Sequence, residues 1–268
     1  MNDWFPSAAA RPDAEAQLFL FPHAGGSPLG YMSWSSDLPR GLELRAVQLP
    51  GRPGQSGEAP RSELGPLVEE LCDAVEAELD GRPYLFFGHS LGALLAYRLT
   101  VGLTERGAVP PALLAVSGWA PELPDAIGLS LVHRMPDAEL LATVDRLGLV
   151  PTATPRERAL LESAVPTIRA DFSLVAGYED DGARVPCPIA AYTGATDPLM
   201  PPGAMRAWSG RTESFLGVRE FPGGHFYLFE HAMAIQLDLD RRIRRQSAGS
   251  APADWSSPLP LEGSCSPL

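Results

Sequence analysis

The chain has 268 residues, 45% hydrophobic and 20% charged, with a formal net charge of −12. That is the composition of an ordinary globular protein, long enough for a large buried core. It carries no apolar run of the roughly 18 residues a membrane-spanning helix needs, and its acidity argues against neutralising a nucleic-acid backbone. All 21 basic residues are arginine, so any positive patch is of a kind suited to phosphate. Cys72, Cys187 and Cys265 are odd in number and far apart, which fits neither a disulfide framework nor a metal site and predicts a reducing, cytoplasmic setting. The start of the chain has neither a basic nor an apolar character, so no secretory leader is expected.

Residues 1–17 read as a flexible lead. Leu18 to Phe21 is a short apolar run stopped by Pro22, and it predicts a buried strand. A loop Pro22-His23-Ala24-Gly25-Gly26 follows. Leu44 to Leu49 predicts the second strand, closed by Pro50-Gly51-Arg52-Pro53-Gly54. Leu64, Leu67, Val68, Leu71, Cys72, Val75 and Leu79 recur at helical spacing and define one buried helix face. Tyr84 to Phe87 is the next strand, breaking at Gly88 before a helix that starts near Leu91. Further strands are predicted at Leu113–Ser117, Ile189–Thr193 and Val218–Phe221. A last helix is predicted from Phe226 to Arg244. Residues 121–184 show helical patterns and no strand; within them Thr154-Pro155-Arg156-Glu157 is a capping box. Strands alternating with helices predict an α/β fold with a mainly parallel sheet and helices on both faces. The strandless insertion then becomes a lid over the strand ends. Residues 18–245 form the predicted domain, and the Ser-, Pro- and Gly-rich residues 246–268 a disordered tail.

The chemistry concentrates at Gly88-His89-Ser90-Leu91-Gly92, a GxSxG between a strand and a helix. A nucleophile elbow needs small residues on both sides of a serine held in strained backbone geometry. Gly54-Gln55-Ser56-Gly57 lacks that pattern. A serine needs a base, and of the five histidines His225 follows the last strand, where an α/β-hydrolase carries its base. The orienting carboxylate should fall between serine and histidine in the chain. Asp197, after the Ile189–Thr193 strand, is preferred, with Glu122 and Asp125 as rivals after the preceding strand. Oxyanion stabilisation requires backbone N–H groups. Leu91 supplies one; Ala24, or its neighbour Gly25, the other. No nucleotide-binding fingerprint occurs, and neither a cofactor nor a metal is expected.

Five segments, Phe21-Pro22-His23-Ala24-Gly25-Gly26, Gln48-Leu49-Pro50-Gly51-Arg52, Gly88-His89-Ser90-Leu91-Gly92-Ala93, Arg169-Ala170-Asp171-Phe172 and Gly223-Gly224-His225-Phe226, resemble the type II thioesterases that accompany polyketide and nonribosomal peptide synthases. The resemblance runs from about Leu18 to Arg244. It implies an α/β-hydrolase fold and hydrolysis of acyl thioesters on the phosphopantetheine arm of acyl or peptidyl carrier proteins, which clears stalled or mis-primed chains. It also implies Ser90 as nucleophile, His225 as base, Asp197 as orienting acid, a mobile lid, and a structural role for Arg169 and Asp171. A monomer is expected, with neither nucleic acid nor membrane as partner. Two departures stand out: proline after Arg52, and a tail without counterpart. The same triad would serve an esterase, a peptidase or a cyclising thioesterase, and a non-catalytic interaction protein would need none of it. Carrier proteins are acidic, so an acidic enzyme needs a local basic surface to meet them. Arg156, Arg158 and Arg169 are the favoured set, ahead of Arg241, Arg242, Arg244 and Arg245.

Overall fold

The computed structural model describes residues 4–6, 10–52, 58–122, 129–146 and 161–247. Among them, β1 (Ala16–Phe21), β2 (Leu42–Ala46), β3 (Tyr84–His89), β4 (Leu113–Ser117), β5 (Ile189–Gly194) and β6 (Phe215–Phe221) form one sheet in the order β2-β1-β3-β4-β5-β6. Every neighbouring pair is parallel. The apolar runs explain this. A strand covered on both faces cannot alternate apolar with polar residues, and every residue of β1, β3, β4 and β5 is buried.

Side chains alternate between the two faces, as the twofold period of a strand demands. Phe19, Phe21, Phe86, Leu114 and Val116 belong to one core. It is covered by α2 (Leu64–Glu76) and α3 (Leu91–Glu105), whose Leu67, Leu71, Leu94 and Leu95 are buried in it. Leu18, Leu20, Leu85, Phe87 and Ala115 belong to the other core, together with Trp34 and the C-terminal helix residues Ile235, Leu239 and Ile243. Trp34 lies in the short α1 (Met32–Ser36).

The expected elements are present with shifted bounds: β1 begins at Ala16, inside the predicted lead, and β6 at Phe215, three residues before Val218. β2 starts two residues before Leu44, and its ladder ends at Ala46. The chain then turns to other partners: the Gln48 N–H bonds to the Trp4 carbonyl at 2.8 Å. The lead is accordingly anchored rather than free at this point, because Phe5 is only 3% exposed and packs edge-on against Phe19 at 5.5 Å. The predicted last helix is split at His231. That residue leaves helical geometry with φ −110° and ψ 20° and its ring bonds back to the Pro222 carbonyl at 3.0 Å.

Within the described part of the insertion lie a 3-10 helix (Leu129–Arg134), α4 (Asp137–Arg146) and α5 (Val165–Ala176), and no strand. The capping box at Thr154 lies outside the described residues, as do Arg156, Arg158 and Asp125. Two helices follow β6, α6 (Tyr227–Glu230) and α7 (Ala232–Ser247). Among the described residues no helix is long and apolar enough to cross a membrane.

The strand order locates the site. From β1 the chain moves outward to β2 and then returns to β3 on the opposite side of β1. The connections leaving β1 and β3 therefore diverge to opposite faces and open a crevice at the carboxyl ends of these strands. The loop Pro22–Gly26 and the Ser90 turn both leave the sheet at that crevice.

Anchoring of the lead is testable. Phe5→Ala should lower unfolding free energy by about 3 kcal/mol, the usual cost of emptying a buried aromatic site, as read from urea denaturation. A loss within 0.5 kcal/mol, roughly the level of a surface change, would mean the lead is not part of the core.

Candidate active site

Ser90 connects β3 to α3 with φ 56° and ψ −120°, and it is the sole non-glycine residue with positive φ among those described. Such geometry costs on the order of 1–3 kcal/mol and persists only where the surroundings impose it. They do so here. The Ser90 N–H is held by the Ser117 carbonyl of β4 at 2.8 Å, and α3 begins at the next residue. The flanking glycines are required by contact. A Cβ on Gly88 would lie 2.1 Å from the Gly92 carbonyl oxygen, and one on Gly92 would lie 2.0 Å from that of Phe21. The elbow is therefore pressed against the end of β1.

His225 and Asp197 meet in the same way. Gly194, ending β5, has its Cβ position 2.3 Å from the Gly224 carbonyl oxygen. The loops after β5 and β6 are joined further by N–H bonds from Ala195 to the Phe221 carbonyl at 2.8 Å and from Thr196 to the Gly223 carbonyl at 3.0 Å. So zipped, they bring His225 Nδ1 to 2.8 Å from Asp197 Oδ2. The second Asp197 oxygen accepts the Leu199 N–H at 2.9 Å, which fixes the carboxylate. Both residues are buried, and His225 Nε2 has no hydrogen-bond partner among the described residues. Glu122 points elsewhere, to Arg211 at 2.9 Å, and its side chain is 60% exposed. Asp197, not Glu122, thus carries the contact with His225.

Two further imidazoles lie near His225. His89 packs against His225 with ring centroids 4.7 Å apart. It bonds through Nδ1 to Ser117 Oγ at 2.8 Å, which in turn meets the Tyr227 hydroxyl at 2.6 Å. His23 bonds to the Tyr31 hydroxyl at 2.9 Å. Burial, with His225 and then Arg52 nearby, pulls the His23 pKa down to about 3. Burial and the neighbouring His225 also lower that of His89. Both stay neutral at neutral pH, so the pocket does not gather positive charge around the base.

The loop after β1 is fixed from the insertion. Asp171 of α5 is fully buried; its Oδ2 accepts the Gly25 N–H at 2.6 Å and Arg52 Nη2 at 2.5 Å. The Gly26 N–H is taken by the His23 carbonyl at 2.8 Å. The Gly25 N–H, the expected alternative to Ala24 as oxyanion donor, is thus engaged by Asp171. Leu91 opens α3, where the first N–H groups have no intrahelical acceptor. Among the arginines considered for docking, Arg169 is tied within the insertion, donating to the His133 and Met135 carbonyls at 2.5 and 2.7 Å and to Asp137 at 2.6 Å. Arg244 pairs with Asp240 and Glu15 at 3.0 Å.

A parallel sheet with an elbow serine at the end of β3, and a histidine and an aspartate after the last two strands, defines an α/β-hydrolase. The sequence profile of the thioesterase domain matches residues 16–242. The chain belongs to that thioesterase family, in company with the type II thioesterases of polyketide and nonribosomal peptide biosynthesis. It is 32% identical to a gramicidin S biosynthesis protein of Aneurinibacillus migulanus, over 86% of this chain and 90% of the relative. The structure of the type II thioesterase from the borrelidin biosynthetic cluster superposes with a TM-score of 0.78 at 33% identity, covering 90% of this chain and 96% of the other. The thioesterase of the prodiginine pathway in Streptomyces coelicolor gives 0.78 at 32% identity, over 89% and 92%.

Nothing in the local sequence marks Ser117, Gly118 or Tyr227 as neighbours of the base. Gly118 has φ +61°, and its Cβ position lies 2.7 Å from the His89 ring and 3.1 Å from that of His225. A lone glycine after a strand is the one available signal, and it does not say which ring it spares. Arg52 and Asp171 stand in motifs noted above, but their partnership with Gly25 is a tertiary fact.

The glycine contacts generate a comparison. Gly92→Ala should destabilise the fold by about 1–3 kcal/mol or more through overpacking. Gly65→Ala, in α2 with open space around it, should be neutral or stabilising by up to about 1 kcal/mol. Thermal melts of the two variants check this, and equal melting temperatures would contradict the close-approach account.

Proposed function

We propose that the protein is a serine thioesterase that hydrolyses acyl thioesters from the phosphopantetheine arm of carrier proteins, releasing stalled or mis-primed chains. The observation that carries the reading is the buried Asp197–His225 hydrogen bond of 2.8 Å at the crevice where Ser90 is held in elbow geometry. Membership of the thioesterase family supports the bond class.

In this reading His225 Nε2 takes the Ser90 hydroxyl proton as Oγ bonds to the thioester carbonyl carbon. The charge that develops on the carbonyl oxygen is met by the Leu91 and Ala24 N–H groups. Collapse breaks the carbon–sulfur bond. The departing thiolate receives the proton from His225, and the acyl group remains on Ser90. Water then attacks this ester while His225 takes one of its protons. Collapse of the second tetrahedral intermediate frees the carboxylic acid and returns the proton to Ser90 Oγ. Asp197 holds the Nδ1–H tautomer and stabilises the imidazolium formed in each half-reaction. The insertion acts as a lid over the acyl group. Nothing in this sequence requires a cofactor or a metal.

Ser90→Ala should remove thioester hydrolysis, with turnover falling at least about 10⁴-fold, while the circular dichroism spectrum stays native. Asp197→Asn should lower turnover by a comparable factor through the wrong tautomer, whereas Glu122→Gln changes it by less than about twofold, because Glu122 does not contact His225 and Arg211 keeps Asp180 as a partner. The reverse ranking in steady-state assays would move the acid to the β4 loop.

The partner class has its own test. Acyl groups on a carrier protein should be released with a higher kcat/KM than the same groups on a small acyl thioester, measured by mass spectrometry of carrier and product. Equal values would leave a thioesterase without carrier recognition, and activity confined to oxygen esters would make the protein an esterase on the same fold.

A further inference from the structure

We propose that Asp171 is a positioning residue that makes the oxyanion hole depend on seating of the insertion helix α5. This rests on the reading of the Ala24 N–H as an oxyanion donor. Asp171 and Gly25 are 146 residues apart in the chain, and Asp171 and Arg52 are 119 apart, yet one carboxylate oxygen joins them. The other oxygen, Oδ1, is buried with no partner. Gly25 and Arg52 therefore share Oδ2, and displacement of the carboxylate releases both.

The surrounding contacts show what is being aligned. Arg52 also donates to the Gly26 carbonyl and to the Pro50 carbonyl, each at 3.2 Å. Thr167, one helical turn before Asp171, donates to the Gly51 carbonyl at 3.0 Å. Ile168 presses on Gly25, with its Cγ1 3.1 Å from the Cβ position of that glycine, which itself has φ +75°. The loops after β1 and β2 are thus clamped to α5 at one buried point. Asp171 does not face substrate. It holds the N–H that follows that of Ala24, and with the Gly25 amide plane pinned the Ala24 N–H can turn only through the φ and ψ of Ala24 itself. With α5 lifted, the Gly25 N–H loses its acceptor and becomes free to turn. The Ala24 N–H is then no longer aimed at one point, and a preorganised donor is lost. Arg52 has a second effect, since it neutralises a carboxylate that would otherwise oppose an oxyanion nearby.

Coupling of this kind is reciprocal. If a seated α5 favours a formed oxyanion hole, then filling the hole must favour a seated α5. The test uses the full-length protein with a fluorophosphonate bearing only a small alkyl group. Its adduct on Ser90 places a phosphoryl oxygen in the hole without an acyl chain to touch the lid, and mass spectrometry confirms stoichiometric reaction. Amide hydrogen exchange across residues 165–176 should slow at least about tenfold in the adduct. Unchanged exchange there would overturn the proposal, and this measurement needs no variant.

Two variants separate positioning from structural support. Asp171→Asn keeps an acceptor for the Gly25 N–H and should retain turnover within about tenfold. The double variant Arg52→Met, Asp171→Leu removes both charges together, which avoids an orphaned buried ion. It should melt cooperatively and keep KM within a few-fold. Its kcat should fall on the order of 10²–10³, the usual effect of losing an oxyanion donor, and its α5 exchange should not respond to the phosphonate. A folded double variant with wild-type kcat would overturn the proposal, leaving Asp171 as a structural ion pair. Rates are read on both an acyl thioester and a p-nitrophenyl ester. Wild-type activity on the ester alone would refute the thioesterase reading while still reporting on the coupling.

Discussion

The arrangement of the site depends on one steric constraint, the contact between two backbones at Gly92 and Phe21. With a Cβ position 2.0 Å from the Phe21 carbonyl oxygen, α3 can start where it does only because its second residue is glycine. That contact sets the elbow serine beside the end of β1, and hence beside the loop that offers the Ala24 N–H. The same logic repeats on the other side of the site, where Gly194 lets the β5 and β6 loops close on each other and brings Asp197 to His225. The geometry of the site comes less from Ser90, Asp197 and His225 than from the residues around them that have no side chain. Each bare backbone allows a loop to lie nearer its neighbour than any other residue would permit.

Close approach also buries polar groups, and these need partners or neutrality. Both solutions are present. Asp197 uses both oxygens, for His225 Nδ1 and the Leu199 N–H. His23 and His89 are held neutral by burial, and His89 turns its Nδ1 toward Ser117 and Tyr227, away from the serine it adjoins in sequence. Three imidazoles can therefore crowd together without mutual repulsion while His225 remains the group tied to a carboxylate. Gly118 makes room for two of these rings at once. The histidine of the GHSLG segment is thus part of the wall against which His225 packs.

Much of this was legible in the sequence because the signals are local. Apolar runs bounded by Pro and Gly point to the six strands, and their alternation with helical segments points to a parallel sheet. The elbow declares itself through spacing between a strand and a helix. The loop after the last strand carries His225 in a position fixed by topology. Choosing Asp197 over Glu122 was harder, since both follow strands; what separates them is the zipping of the β5 and β6 loops, a tertiary contact. The clamp at Asp171 was out of reach for the same reason. Arg52, Gly25 and Asp171 each lie in a readable segment, but periodicity carries no information between residues more than a hundred positions apart. The lead illustrates a different limit. Its composition is that of a loop, and a single phenylalanine, Phe5, is enough to bury part of it against Phe19.

The absence of lysine shapes how the molecule uses charge. A guanidinium is a planar fork that can bind several oxygens at once, and the arginines here serve as ties between segments. Arg11 reaches the Leu38 carbonyl at 3.1 Å and Ser35 at 3.2 Å. Arg82 reaches that of Ala14 at 3.0 Å, and Arg169 spans the insertion. Arg52 and Arg211 are buried outright. Positive charge committed to internal carbonyls and carboxylates contributes little to an outward field, and the net charge is already −12. These tied arginines therefore contribute little to the attraction of any acidic partner. Arg52 is the clearest case: together with Asp171 it ties α5 of the insertion to the loops after β1 and β2, beside the elbow serine.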